Sequence, residues 1–202
     1  FPAGFFTRNE TLVALVILCF SCLATLSDPN FFSITTVSDI LRASIVLGIL
    51  AIAAMLVLVS GGIDVSFTAV AVSAMYMTTT FTLAYWPEMP WPLIFLLSIF
   101  IGGFLGAVNG IFIALLKLPT LIVTLGTLSV FRGFLLTFVG SQRISALPPD
   151  MRGFSRLMVA RGTTEGGSFY ALPLAFVALV LVILLTWFLL NHTMLGRSIY
   201  AL

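Results

Sequence analysis

Residues 43–87 carry a single charge. Asp64 separates an uncharged run of 21 residues, 43–63, from another of 23, 65–87, and it stands just behind two adjacent glycines in the stretch SGGIDVS (60–66). A helix needs about 20 apolar residues to cross the ~30 Å hydrocarbon core of a bilayer, so each run is long enough to span one. The whole chain follows suit. It is 60% hydrophobic and 8% charged, where a soluble domain is roughly 45–50% apolar and about 25% charged. The solvent for most of these residues is therefore lipid. A net charge of +2 on so few charged residues gives no reason to expect a nucleic acid partner.

Six segments read as spans, at about 11–27, 43–63, 65–86, 92–116, 119–139 and 171–190, and together they predict an all-α, polytopic transmembrane helix bundle forming one domain over 1–202. The first is short, and it lacks the small-residue cleavage site of a signal peptide, so it is expected to be retained. A chain that opens at Phe1 and stops at Leu202 in mid-pattern is expected to be trimmed at both ends. Between the spans lie a polar stretch at 28–42, a proline-rich turn WPEMPWP at 86–92, and Lys117 before Pro119. The long stretch 140–168 holds Arg143, Arg152, Arg156, Arg161, Asp150 and Glu165, and reads as a water-exposed loop with room for a short surface helix. Pro119 fits the first turn of its helix, where its missing N–H costs nothing. Arg132 lies about 22 Å beyond Lys117 along that helix, close enough to the far interface for its side chain to snorkel. That interfacial role is favoured over an ion pathway.

Gly102, Gly106 and Gly110 recur every four residues, a double GxxxG that lets a second helix backbone approach. Asn109 beside them can hydrogen-bond across such a contact or serve a solute path. Catalytic chemistry is missing. Cys19 and Cys22 share a helix face but have no histidine or acid nearby, and His192 stands alone past the last apolar run. Neither a nucleophile elbow nor a Walker loop occurs. Asp64 is the only acid at membrane depth, whereas a proton-coupled carrier normally has several ionisable groups there. The pattern is that of a many-span transport subunit rather than an enzyme, with no metal site and no cofactor expected in this chain.

Four stretches in order, SGGIDVS (60–66), Asn109-Gly110, KLPTLIVTLGTLSVFRG (117–133) and LGRSIYAL (195–202), resemble the permease subunits of bacterial ABC sugar importers of the ribose, arabinose, xylose and autoinducer-2 type. The resemblance covers 60–202, and one position departs from it: Ser66-Phe67-Thr68 stands where the family often has Ser-Val-Gly. It implies a fold of about ten helices, of which this fragment would hold the first six. It also implies a permease in the bacterial inner membrane, paired with a second permease copy, identical or related. A periplasmic sugar-binding protein would dock on one side, with Arg152 and Arg156 as candidate contacts. A cytoplasmic ABC ATPase would dock on the other, through a segment beginning near Gly196, Arg197 and Tyr200, and would hydrolyse the ATP. Asp64, Ser66, Asn109, Thr124 and Thr127 are the candidate path or gate residues.

Charge counting opposes the orientation so implied. With six crossings, Arg8, Lys117 and Arg197 share one side, and Arg42, Arg143, Arg152, Arg156 and Arg161 share the other. The positive-inside rule would put the larger group in the cytoplasm. The resemblance puts it outside, where arginines can pair with carboxylates of a docking protein.

Two roles remain for SGGIDVS. Asp64 can cap a helix beginning at Val65, closing a helix break near the membrane edge. Alternatively the break lines a wet path, the one setting in which unpaired backbone is tolerated at membrane depth, and Asp64 offers acceptors to sugar hydroxyls or to a gate. The leading functional expectation is ATP-driven import of a small sugar or similar polyhydroxylated solute. The alternative is an ion-coupled secondary transporter or a channel working without an ATPase.

Overall fold

The computed structural model describes residues 9–28, 31–139, 146–163, 167 and 169–200. Arg8 and Arg143, counted in the orientation argument, lie outside these residues, as do 140–145, 164–166 and 168 of the long loop. The chain divides into two compact units, residues 1–43 with 159–172, and residues 44–158 with 173–202.

The first unit holds α1 (Asn9–Ser27), the start of α2 (Ile34–Val59), and most of a hairpin formed by β1 (Met158–Thr163) and β2 (Phe169–Pro173). The apolar part of α1, Thr11–Ser27, reaches only about 25 Å and is shorter than a full span. The stretch 28–42, expected to be polar linker, is helical from Ile34 onward. Its Asp39 and Arg42 interrupt hydropathy without breaking a helix. Arg42 donates through Nη2 to the carbonyl of Ala171 in β2 at 2.6 Å.

The second unit carries the bundle: the rest of α2, then α3 (Phe67–Tyr85), α4 (Trp91–Leu116), α5 (Thr120–Phe134), α6 (Pro149–Ser155), α7 (Ala175–His192) and α8 (Met194–Tyr200). A π-helical turn, Leu135–Val139, prolongs α5. Five helices of the chain are long and apolar enough to cross a membrane: α2, α3, α4, α5 with its π turn, and α7. The six expected spans thus become five together with the shorter α1. The protein is a multi-pass membrane protein. Its α3 packs most closely on α4, presenting Ala69, Ser73, Ala74, Thr78 and Thr82 as a buried small-residue face. Most other apolar side chains point outward, as lipid-facing helices require.

Within the loop that follows, the described residues 146–163 hold α6 and β1. Asp150, in the first turn of α6, accepts from the backbone N–H of Trp91 at 2.6 Å and so satisfies one orphan donor at the start of α4. Phe154 of α6 lies against Trp91 and Phe95, with ring centroids 4.8 and 5.1 Å away.

Candidate functional site

The helix break begins with a C-terminal closure of α2. Gly61 adopts φ +76°, its N–H bonds the carbonyl of Leu58 at 3.0 Å, and the N–H of Gly62 reaches back to Val57 at 3.0 Å. This pair of bonds is the Schellman motif, and the left-handed residue within it is most easily glycine. Gly62 serves a different need. A Cβ there would stand 3.3 Å from both Thr120 Cγ2 and Val57 Cγ1, so the absent side chain lets the segment pass close to α5.

Beyond the glycines the backbone finds its partners on α5. The N–H of Ile63 donates to Thr120 Oγ1 at 3.1 Å, and that of Val65 to Thr124 Oγ1 at 3.4 Å. The Thr124 hydroxyl lies 3.2 Å from the carbonyl of Ile63 and 3.4 Å from that of Leu121. These bonds keep residues 62–66 out of a helix, and α3 starts at Phe67 rather than at Val65. Asp64 therefore does not cap α3 as the sequence suggested. Its Oδ1 accepts from the N–H of Ser66 at 2.6 Å and from Ser66 Oγ at 2.7 Å, an Asx-type turn that precedes the helix. Ser66 is the N-cap residue of α3, and its side chain makes no capping bond.

The chain of hydrogen bonds continues to α4. Asn109 Nδ2 donates to Ser66 Oγ at 2.9 Å. Because a carboxylate can only accept, the Ser66 hydroxyl must give its proton to Asp64 and take one from Asn109. That order fixes the amide: Oδ1 of Asn109 faces the other way and is buried without a partner among the described residues. Ser66 and Thr124 are sealed at 0% and 1% exposure, whereas Asp64 is half-buried and its Oδ2 accepts no hydrogen bond among the described residues. Asp64 also lines a cavity of about 180 Å³ with Asn109, Thr120, Thr124, Gly106 and Gly110. Asn109 lies seven residues before the end of α4, and Thr124 four after the start of α5. The cluster therefore sits roughly 6–10 Å inside the helix ends.

The structure thus brings together Asp64, Ser66, Asn109 and Thr124, and leaves Thr127 apart. Thr127 stands further along α5 and bonds the carbonyls of Val123 and Thr124 in its own helix. Of the three glycines only Gly102 meets a neighbour, the Cβ of Ala74 at 3.6 Å. Gly106 and Gly110 have open space where a Cβ would be and form part of the cavity wall instead of a helix contact. Arg152 and Arg156 are exposed at α6, with Arg152 Nε donating to the carbonyl of Leu147 at 3.0 Å. Gly196 and Arg197 belong to α8, as does the backbone of Tyr200, whose side chain lies outside the described structure. Thr193 begins this turn: its hydroxyl accepts from Gly196 N–H at 3.2 Å and donates to Leu189 at 2.6 Å. A Cβ on Gly196 would collide with the carbonyl oxygens of Leu189 and Leu190. Thr120 was not singled out from sequence, since a threonine after a proline at a helix start carries no sign of a partner 57 residues away.

Among curated proteins, the chain is similar to the autoinducer 2 import system permease protein LsrC of Yersinia pseudotuberculosis serotype O:1b (strain IP 31758), 32% identical over 199 residues, covering 96% of this chain and 52% of the relative. The protein of the same name from Photorhabdus luminescens is 29% identical over 200 residues, covering 96% and 55%. The chain spans about half the length of these relatives. No solved structure matches it. The family model described as "Branched-chain amino acid transport system / permease component" matches residues 36–202, and the chain belongs to that family of transport permeases.

Proposed function

We propose that this chain is part of the membrane-spanning permease of an ATP-binding cassette importer that carries a small sugar or similar polyhydroxylated solute across the bacterial inner membrane. The family match over residues 36–202 supports the permease part of this reading, and the relatives named as autoinducer 2 permeases make that molecule one solute to test. The cavity beside Asp64 is the candidate place for the solute: Val57, Ile63 and Ile113 line it together with Asp64 and Asn109, an apolar wall with few polar groups of the kind that orients a small solute. The ATPase would engage α8 from the cytoplasm, the binding protein would meet the arginines of α6 from the periplasm, and a second permease copy would complete the pathway. ATP would be held by the partner, and this chain would need no cofactor.

Uptake by proteoliposomes holding the full complex tests the assignment. Uptake should require ATP and persist when a protonophore is added. Loss of uptake to the protonophore at constant ATP would instead favour an ion-coupled carrier. Competition by unlabelled autoinducer 2, ribose and leucine then sorts the solute. Inhibition by leucine alone would replace the polyhydroxylated class with the branched-chain amino acids of the family description.

A further inference from the structure

Thr124 is 1% exposed, and its hydroxyl meets the backbone on both sides of Asp64. Several helix hydroxyls bond within their own helix: Thr25 to Ser21 at 2.7 Å, Thr79 to Met75 at 2.8 Å, Ser129 to Leu125 at 3.0 Å and Thr127 to Val123 at 3.1 Å. This is the usual way for serine and threonine to satisfy themselves in a membrane helix. Thr124 departs from it. Its nearer acceptor is Ile63 in the unwound segment, at 3.2 Å, with Leu121 of its own helix at 3.4 Å, and it also accepts from the N–H of Val65. We propose that Thr124 is a positioning residue, which sets the direction of the free Asp64 oxygen through the backbone of Ile63 and Val65 and passes displacements of α5 to it.

The proton count makes this a two-position latch. A hydroxyl has one hydrogen to give, and Ile63 and Leu121 compete for it. With the hydrogen on Ile63, α5 grips the segment. With the hydrogen on Leu121, α5 keeps its hydroxyl hydrogen paired while its hold on the Ile63 carbonyl is released, and the segment stays tied to α5 only through the N–H groups of Ile63 and Val65. Thr120 adds a second point of grip one turn earlier, through Ile63 N–H. On the opposite side Asn109 holds Ser66, and Ser66 holds Oδ1 of Asp64. The carboxylate is thus suspended between α4 and α5, and relative movement of the two helices turns Oδ2 toward or away from the cavity. This role rests on reading Asp64 as a path residue.

The test compares Thr124→Val, which keeps shape and drops the hydroxyl, with Thr124→Ser, which keeps the hydroxyl, in the full complex. Uptake should slow about tenfold in the valine variant, the equivalent of one lost hydrogen bond, and recover in the serine variant. In parallel, Ile63→Cys is labelled with a methanethiosulfonate reagent, since Ile63 is 48% exposed. Labelling should quicken when Thr124→Val is added. Should that variant fail to assemble, Thr120→Val probes the same grip, with slower uptake and faster labelling expected. Wild-type uptake and unchanged labelling in the valine variants would overturn the proposal, and so would a serine variant as slow as valine. Asp64→Asn keeps the two readings distinct. If it is slow while the valine variants are normal, only the positioning role fails. If it transports at the wild-type rate, the path reading fails as well.

Discussion

Gly61 and Gly62 answer different demands, and substitutions at the two should behave differently. An L-side chain at φ +76° is strained whatever space surrounds it, by roughly 1–2 kcal/mol. Gly61→Ala should therefore lower the melting temperature of the purified protein without slowing the uptake of molecules that remain folded. At Gly106 the opposite holds. Beyond its own helix backbone, no atom lies within 4 Å of its missing Cβ, so Gly106→Ala should leave melting within about 0.5 kcal/mol of wild type. A matched loss in both variants would mean that the Gly106 face is covered in the assembled protein. The sequence disclosed the break itself, because two glycines and an acid between long apolar runs have few other uses. It did not disclose the direction in which Asp64 would spend its hydrogen bonds. That depended on Thr120 and Thr124, whose distance along the chain hides them from any local pattern.

The spans emerge from hydropathy because lipid tolerates little else, and α3, α4 and α7 lie close to where their apolar runs place them. Boundaries on the water side were less legible. The start of α2 at Ile34 fell nine residues before the apolar run, since Asp39 and Arg42 are compatible with a helix and only hydropathy had set the limit. The π turn after α5 left no trace in the apolar pattern, because its residues are as hydrophobic as those of an α-helix. The turn from α7 into α8 shows what one glycine does for an element. Thr193 starts α8, and Gly196 passes against the last carbonyls of α7 with no room for a methyl group. Gly196→Ala should force α8 outward. The expected result is a normally expressed permease that copurifies with less of the proposed ATPase, and full recovery of that ATPase would remove α8 from the proposed contact.

For the whole molecule, orientation is the property on which charge counting and family resemblance disagree. A cysteine placed at Arg156, exposed just after α6, should react with an impermeant thiol reagent on intact spheroplasts. Reaction only after the membrane is opened would reverse the orientation and move the arginines to the cytoplasmic face. The buried hydroxyls of α3 bear on how such a protein enters its membrane at all. Ser73, Thr78 and Thr82 are sealed against α3's neighbours with their oxygens unpaired among the described residues. Together with Thr68, Thr79 and Thr80 they give α3 a mean hydropathy of 1.3, against 2.5 for α2 and 2.2 for α4. Leaving the ribosome alone, α3 would be a poor candidate for lateral release into lipid, with its polar stripe facing acyl chains. Only residues 86–90 separate it from α4, whose close-packed surface covers that stripe. These hydropathies predict that α3 and α4 insert as a hairpin, with the more apolar second helix carrying the first one in.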